Sequence, residues 1–335
     1  MRSLGLVTSC ALALGVHAAP SNITRGDLDA ATRTTAYAEF LDFFKYDVHP
    51  SDNEGVANYV DGPSNGLTYV DGNGKVVVAV ETTNTVGSLR KAVRLVSKET
   101  FNPSENYLFV FDVERMPAVC GAWPALWLTG SNWPYDGEID VVEGVNKYTQ
   151  NVMSVHTGPG CSWSESTMGA LSDLTVNEPK VHSCDATADY QSCGGTQKSR
   201  TSFGETFNNA GGGVFTLEFL QTGIVMHMWN KAQVPADISA GNPSPAGWGK
   251  QTYWIPADQC NPNEHFKNLM LVINTNLGGF FPEGVWGTDY AGGQTTSCKK
   301  QTGVNTAKDY VLNHGSEFGA NGRWVFNSIK IYRPA

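Results

Sequence analysis

Short runs of apolar residues with polar residues between them recur along the whole chain. The runs that predict strands are residues 67–70, 76–80, 91–96, 107–113, 213–220, 223–229, 269–276 and 324–332. Turn residues such as the Asp-Gly-Asn-Gly of 71–74 separate these runs, as the connections of an antiparallel sheet require. Helical periodicity is scarce, and one short helix is expected over residues 35–44. The pattern therefore predicts an all-β protein.

Composition agrees with a protein of strands and turns. The chain has 335 residues with 36 glycines, 16 prolines, 11% aromatic and 16% charged residues, which is typical of β-rich folds. This length suits one large β-sandwich or two domains. Because no internal repeat or low-complexity linker divides the chain, we expect a single domain over residues 19–335. The net charge of −9 disfavours nucleic acid as a partner and suits an uncharged polymer.

Residues 1–18 have the features of a secretory signal peptide. Arg2 provides the positive start, residues 4–14 are apolar, and Ala18 closes a small-residue cleavage site,. The apolar stretch is too short to span a bilayer. Asn22 begins an N-glycosylation sequon just beyond the cleavage site,. No later segment reads as a membrane span or a lipid-anchor signal, so we expect a secreted, extracellular, glycosylated protein without a membrane partner.

The cysteines predict a disulfide framework. Seven are present, and Cys10 is lost with the signal. The remaining candidates are Cys120, Cys161, Cys184, Cys193, Cys260 and Cys298. An even number in a secreted chain predicts three disulfides, for which about fifteen pairings exist. None of them has the spacing of a metal site, and no metal ion is expected from the sequence.

The most unusual stretch of the sequence is residues 137–146, where three acids alternate with β-branched residues. In a regular strand Glu138 and Asp140 share one face, whereas Glu143 points to the other face,. A β-bulge near Val141 and Val142 would absorb one residue and bring all three acids to one face. We therefore predict a bulged strand beside an active site.

Three carboxyl groups on one face have a definite chemistry. A retaining glycosidase needs two carboxyl groups about 5 to 5.5 Å apart, one as nucleophile and one as acid/base. A third acid between them separates the pKa values and keeps one group protonated near neutral pH. An acidic solvent-facing strand and a calcium site are the two alternatives. The aromatic residues that precede Glu138 argue against a solvent-facing strand. The Val-Val-Glu sequence of residues 141–143 argues against a calcium site, because calcium-binding loops prefer Asp, Asn and Gly.

Residues 138–143, E-I-D-V-V-E, resemble the E-x-D-x-x-E signature of glycoside hydrolase family 16, in the bulged form of laminarinase-type β-glucanases. Residues 116–127, 132–134 and 151–157 resemble the fungal endo-β-1,3(4)-glucanases of that family, and the resemblance covers nearly the whole mature chain. It implies a concanavalin-like β-jelly-roll sandwich with an open substrate cleft on its concave sheet. It also implies that no cofactor takes part, while some members hold a structural calcium ion whose ligands the sequence does not reveal.

The resemblance assigns roles to the three acids and to three further residues. Glu138 is expected to be the nucleophile, Asp140 the assisting residue that orients it, and Glu143 the acid/base. The expected substrate-binding residues are Trp123, Trp133 and His156. Trp133 is expected to form a platform for a sugar ring, and His156 to lie in the cleft near the acid/base.

Three more aromatic residues allow different interpretations. Trp127 lies within an apolar run, so we expect it in the core. Phe281 or Trp286 is expected to meet sugar at the cleft edge, although packing within the loop explains both equally well.

These observations predict a secreted, monomeric, retaining endo-β-glucanase that hydrolyses β-1,3 and mixed-linkage β-1,3/1,4-glucans. A transglycosylase of the same family is one alternative, but such relatives mostly use an unbulged E-x-D-x-E motif and often carry an anchor signal. A non-catalytic glucan-binding lectin is another, and the intact acid trio counts against it because binding does not require three clustered carboxyl groups.

Overall fold

The computed structural model describes residues 23–28, 39, 40, 42–177, 182–188 and 191–334. The expected signal peptide and the sequon at Asn22 lie outside these residues. So do residues 35–38 and 41 of the helix expected over residues 35–44. Residues 39, 40, 42 and 43 are helical, and residue 44 begins a strand instead.

Strands dominate the described chain. They are β1 (Ile23–Leu28), β2 (Phe44–Tyr46), β3 (Ala57–Tyr59), β4 (Thr68–Val70), β5 (Val76–Ala79), β6 (Arg90–Ala92), β7 (Arg94–Ser97), β8 (Tyr107–Arg115), β9 (Ala122–Thr129), β10 (Glu138–Glu143), β11 (Val152–His156), β12 (Leu174–Val176), β13 (Cys193–Gln197), β14 (Gly213–Leu220), β15 (Gly223–Asn230), β16 (Tyr253–Pro256), β17 (Met270–Leu277) and β18 (Arg323–Pro334). The all-β prediction is confirmed.

The helices are short and lie in the connections between strands. They are α1 (Glu165–Ala170), α2 (Gly204–Asn209), α3 (Ala236–Ser239), α4 (Pro262–His265), α5 (Phe280–Gly284), α6 (Cys298–Thr302), α7 (Ala307–Asn313) and α8 (Phe318–Asn321), with 3₁₀ turns at Pro63–Asn65, Pro103–Glu105, Lys231–Gln233, Pro245–Gly247, Ala291–Gly293 and Gly315–Glu317. In the described part of the chain, none of the helices has the length and apolar character that crossing a bilayer requires.

Two eight-stranded sheets form the sandwich. Sheet A has the order β16-β15-β14-β8-β18-β5-β4, with β1 also paired to β18. Sheet B has the order β12-β13-β11-β10-β9-β17-β7-β2, and a small third sheet joins β3 to β6 in parallel. The two large sheets are antiparallel throughout, as the predicted sandwich requires.

The main core lies between sheets A and B. Alternate side chains of the strands, such as Phe109 and Phe111 of β8, Leu126 of β9 and Ile139 of β10, belong to one cluster, and all four are fully buried. Each side chain of this size contributes about 2 kcal/mol or more by burial. A second cluster covers the other face of sheet A, where residues of the 234–248 connection pack on β8 and β14. The outer face of sheet B is the one that carries the large cleft.

Three disulfides link segments that are far apart or adjacent in the sequence, mostly in the connections between strands. The six expected cysteines form the pairs Cys120–Cys298, Cys161–Cys260 and Cys184–Cys193. The first pair joins segments 178 residues apart, linking the approach to β9 with α6. The prediction of three disulfides is confirmed, and the three-dimensional fold selects the pairing.

Candidate active site

The predicted bulge is present in β10 and brings the three acids together. On β11, Glu138 faces His156, Asp140 faces Ser154 and Glu143 faces Val152, so the β10 strand uses one residue more than its partner after Asp140. The register with β9 shifts at the same place. Val141 and Val142 are consecutive yet both fully buried. Glu143 therefore returns to the face that Glu138 and Asp140 occupy.

Gly137 fixes the point at which β10 begins. Its φ of 83° lies in the left-handed region, which glycine adopts without strain. A Cβ atom there would meet the Phe266 ring at 2.3 Å and the His265 carbonyl oxygen at 2.6 Å. The preceding loop can therefore pack closely against residues 265–266 and deliver Glu138 directly into the cleft.

The acids line a cleft of ≈ 970 Å³ on the outer face of sheet B. Trp123, Trp133 and His156, the three expected substrate-binding residues, line it as well. Trp133 is 42% exposed, so its ring is available to a ligand. A cleft of this volume, lined by aromatic and polar side chains, is large enough for several sugar rings.

Asp140 occupies the centre of a compact polar cluster. The Ser154 hydroxyl donates a hydrogen bond to Asp140 Oδ2 at 2.6 Å. His156 Nε2 lies 3.6 Å from Asp140 Oδ2 and 3.9 Å from Glu138 Oε1. Glu138, Asp140 and His156 are also the one group with ligand-like spacing for a metal ion in the described part of the chain. The donor set that a metal would use thus coincides with the acid cluster itself.

Burial raises the pKa of all three carboxyl groups, and repulsion from neighbouring acids raises the pKa of Glu138 and Glu143 further. Burial is the main cause for each, and it raises the pKa of Asp140 and of Glu143 to about 7. The pKa of Glu138 is raised well above its ordinary value by burial and then by the charges of Asp140 and Glu143. Because three adjacent buried acids cannot all ionise, the trio retains protons near neutral pH.

Hydrogen-bond donors lower the pKa values of Glu138 and Glu143, and so partly offset the increase caused by burial. The Trp133 side chain donates to Glu138 and lowers its pKa. Trp123 Nε1–H donates to Glu143 Oε1 at 2.9 Å, which lowers the pKa of Glu143. Burial lowers the pKa of His156, so its ring is neutral at pH 7. The two tryptophans therefore orient the outer carboxyl groups as well as line the cleft.

The prediction that Trp127 lies in the core is wrong. It lines the cleft, with the Arg94 guanidinium 4.9 Å from its ring centre, and its Nε1–H donates to Asn274 Oδ1 at 2.8 Å. The physical reason is strand alternation, because Trp127 is four residues from Trp123 in β9 and so shares its face. This signal was present in the sequence, whereas Arg94 and Asn274 come from distant strands that no local pattern connects to β9.

The two aromatic residues of the 277–286 loop have different positions. Phe281 lines the cleft and packs edge-to-face on Trp123 with ring centres 5.6 Å apart. Trp286 is 2% exposed and its Nε1–H donates to the Val304 carbonyl oxygen at 2.9 Å, so it belongs to loop packing. The adjacent Phe280 is 53% exposed and extends the cleft wall beyond Phe281.

An antiparallel β-sandwich with three coupled carboxyl groups in an open, aromatic-lined cleft defines a glycoside hydrolase of the jelly-roll class. A family model described as "XgeA-like, catalytic GH16 domain" matches residues 44–332. The chain therefore belongs to glycoside hydrolase family 16, as its acidic signature predicted.

Relatives with assigned names support this membership. A probable glycosidase of Schizosaccharomyces pombe is 31% identical over 299 residues, which cover 88% of this chain and 67% of the relative. An endo-1,3(4)-beta-glucanase of Arthroderma benhamiae is 34% identical over 269 residues, covering 78% of this chain and 55% of the relative. The chain thus spans about two thirds and about half of these two relatives.

Solved structures share the fold over almost the whole chain. Laminarinase 16A of Phanerochaete chrysosporium, solved with two beta-glucans in donor and acceptor sites, superposes with a TM-score of 0.75 at 29% identity, covering 93% of this chain and 98% of that one. An elongating GH family 16 beta-1,3-glucosyltransferase gives a TM-score of 0.78 at 27% identity, covering 92% and 99%.

Proposed function

We propose that this chain is an endo-β-glucanase that hydrolyses β-1,3 and mixed-linkage β-1,3/1,4-glucans with retention of configuration. The observation that carries the proposal is the bulge in β10, which places Glu138, Asp140 and Glu143 on one face of an open cleft. The relatives named endo-1,3(4)-beta-glucanase and the laminarinase solved with beta-glucans support the choice of substrate. An open cleft allows a polymer to lie across the acids and be cut internally.

In the first step, Glu138 attacks the anomeric carbon while Glu143 gives its proton to the departing glycosidic oxygen. The C1–O bond breaks, and a covalent glycosyl-enzyme forms. The raised pKa of Glu143, about 7, suits a group that must hold a proton at neutral pH. Asp140 lies beside the nucleophile and, held by Ser154, orients it.

In the second step, Glu143 accepts a proton from water as the water attacks the same carbon. Glu138 is released as a carboxylate, so two inversions give net retention. Trp133 and Trp123 stack on sugar rings beside the reaction centre, and neutral His156 supplies a polar contact near Glu138 and Asp140. The chemistry requires no cofactor.

Product analysis tests this proposal. The protein is incubated with laminarin and lichenan beside the variants Glu138→Ser and Glu143→Gln, and the first reducing ends are examined by proton NMR. We expect short β-glucan oligomers that initially carry the β-anomer, and none from Glu138→Ser. Initial α-anomer would contradict retention, and persistent cleavage by Glu138→Ser would remove Glu138 as nucleophile.

A transglycosylase is the second candidate, because the neighbour described as an elongating beta-1,3-glucosyltransferase shares the fold. Such an enzyme passes the glycosyl group to another sugar instead of water. Products longer than the starting laminari-oligosaccharide would favour this candidate. Glucan binding without any product would favour a lectin.

We also propose that the protein is secreted and acts as a monomer. The signal-like residues 1–18 and the disulfide-bonded connections support an extracellular location, since disulfides persist in oxidising compartments. Expression of the full chain in a yeast host tests both proposals. Mass spectrometry should find the protein in the culture medium with an N-terminus near residue 19. Light scattering should give the mass of a monomer. Retention inside the cells would contradict secretion.

A further inference from the structure

The bulge that assembles the trio disturbs the backbone pairing of β10. An extra residue in one strand leaves peptide groups without partners in the regular ladder, and buried peptide groups are strongly disfavoured when unpaired. Here the side chain of Asn151 forms hydrogen bonds with two peptide groups of the bulge. Asn151 Oδ1 accepts a hydrogen bond from the Glu143 N–H at 3.0 Å, and Asn151 Nδ2 donates to the Val141 carbonyl oxygen at 2.9 Å.

Asn151 is itself held rigidly. Its side chain is fully buried, and its own N–H donates to Ser202 Oγ at 2.9 Å. The Ser202 hydroxyl in turn donates to the Ser199 carbonyl oxygen at 2.8 Å, and the Gln197 N–H donates to the Asn151 carbonyl oxygen at 2.8 Å. Asn151 also directly precedes Val152, which pairs with Glu143. The amide therefore has a fixed position from which it can hold the bulge.

From these contacts we infer that Asn151 is a positioning residue for Glu143. It fixes the peptide group of Glu143, while Trp123 fixes the carboxyl end of the same side chain. Glu138 and Asp140 precede the bulge and pair regularly with His156 and Ser154, so their positions do not depend on the Asn151 amide. Asn151 therefore affects the acid/base role of Glu143 and leaves the nucleophilic role of Glu138 unaffected. This inference rests on the proposed function of Glu143 as acid/base.

The chain offers a closely matched control for the loss of a buried amide. Asn208 of α2 accepts from the Met116 N–H at 2.9 Å and donates to the Met116 carbonyl oxygen at 2.9 Å. It is also buried and does not line the cleft. Asn208→Ala therefore removes the same pair of hydrogen bonds to a backbone segment that carries no catalytic group.

The test separates the acid role of Glu143 from the nucleophilic role of Glu138. Asn151→Ala, Asn208→Ala and the wild type are compared on laminarin and on an aryl β-laminaribioside whose leaving group is 2-chloro-4-nitrophenol. Laminarin has a poor leaving group that needs protonation, whereas this phenolate departs without it. We expect Asn151→Ala to lose about 100-fold in kcat on laminarin, since misplacement by about 1 Å is that costly.

On the aryl substrate the expected behaviour of Asn151→Ala is different. The first turnover should release phenolate at nearly the wild-type rate, as a burst. The steady state should then be slow and the KM lower, because Glu143 is also needed as the base in the second step and the glycosyl-enzyme accumulates. Asn208→Ala should match the wild type on both substrates. Asn151→Asp keeps the acceptor for the Glu143 N–H, so it should retain more laminarin activity than Asn151→Ala.

Equal losses by Asn151→Ala on both substrates without a burst, or no loss on either, would overturn the inference. A wild type without activity on any β-glucan would contradict the proposed function instead. The inference would then be judged on the ligand-free protein, where the Trp123 indole N–H resonance reports ionisation of Glu143. Its titration midpoint should move in Asn151→Ala or Asn151→Asp and stay in Asn208→Ala; an unmoved midpoint in both Asn151 variants would refute the role.

Discussion

Two faces of the sandwich bury ionisable side chains, and only one of them has the geometry of a site. In the cleft of sheet B, the pKa of Glu143 is raised to about 7. On the outer face of sheet A, the pKa of Glu218 in β14 is also raised to about 7. Nearby, burial lowers the pKa of His227 in β15 to about 4. By the size of the shift alone, the two glutamates are indistinguishable.

The causes of the shifts differ. Glu143 responds to burial, to the charge of Asp140 and to the donor on Trp123, whereas burial alone raises the pKa of Glu218. Among the described residues, both ring nitrogens of His227 lack a hydrogen-bond partner, and its ring stacks on Trp229. A perturbed pKa therefore marks burial, and a functional site requires directed donors, coupled groups and an open cleft as well.

The largest expected difference between the two faces comes from replacing one glutamate on each face by glutamine. Glu138→Gln should lower kcat on laminarin by more than about 10⁴-fold because it removes the proposed nucleophile. Glu218→Gln should leave kcat unchanged because its carboxyl group faces away from the cleft. Initial-rate assays of reducing-end release check both. A large loss in Glu218→Gln would break the comparison.

The tryptophans of the two faces should separate binding from stability. Trp133→Ala should lower kcat/KM by about 30-fold, since stacking on an aromatic ring contributes about 2 kcal/mol, with little change in Tm. Trp248→Ala should reduce the free energy of unfolding by about 3 kcal/mol. That ring is 8% exposed and its Nε1–H donates to Asp237 Oδ2 at 2.7 Å.

Kinetics and thermal unfolding of both variants give the readout. If Trp248→Ala changed KM as strongly as Trp133→Ala, the outer face of sheet A would also take part in substrate binding.

The buried Glu218 should make stability depend on pH. Its native pKa of about 7 exceeds the unfolded value of about 4.3, so the native state binds the proton more tightly. The stabilising contribution of Glu218 is therefore fully present below about pH 4 and is lost as the pH rises through about 7,. Glu218→Gln, which stays neutral, should raise the free energy of unfolding at pH 8 by about 2 kcal/mol and leave it unchanged at pH 4. Urea unfolding at the two pH values measures this, and equal effects at both would refute it.

The smallest expected effect is a shift of the pH profile when Trp123, the hydrogen-bond donor to Glu143, is replaced. Trp123→Phe removes the hydrogen bond that holds the pKa of Glu143 down, so that pKa should rise. Activity falls when Glu143 loses its proton, and the alkaline limb of the kcat profile should therefore move to higher pH by about half a pH unit. A pH series of kcat measures the limb. Movement to lower pH would show that Trp123 does not stabilise the ionised carboxylate.

The bulge and the acid trio could be predicted because the signal is local. Glu138, Asp140 and Glu143 lie within six residues, and strand alternation dictates that one residue must be absorbed if they share a face. The apolar runs predicted an all-β protein, and the resemblance to the family implied the sandwich. The misplacement of Trp127 came from weighing its apolar neighbours above the same alternation.

Other parts of the site depend on contacts that no local pattern reports. Arg94 and Asn274 reach Trp127 because β7, β17 and β9 are neighbours in sheet B. Asn151 gives no sequence signal, since a single asparagine before a strand usually belongs to a turn. Its position becomes meaningful only once the register of β10 and β11 is known.

The placement of β18 has a consequence for the order in which the chain is made. This strand lies between β8 and β5 in the centre of sheet A and also pairs with β1, yet every strand of sheet B precedes it in the sequence. During synthesis every strand of the cleft-bearing sheet leaves the ribosome before β18, so its apolar inner face is complete while the partner sheet still lacks a central strand. Closure of the sandwich therefore waits until the residues around Trp324 and Tyr332 emerge.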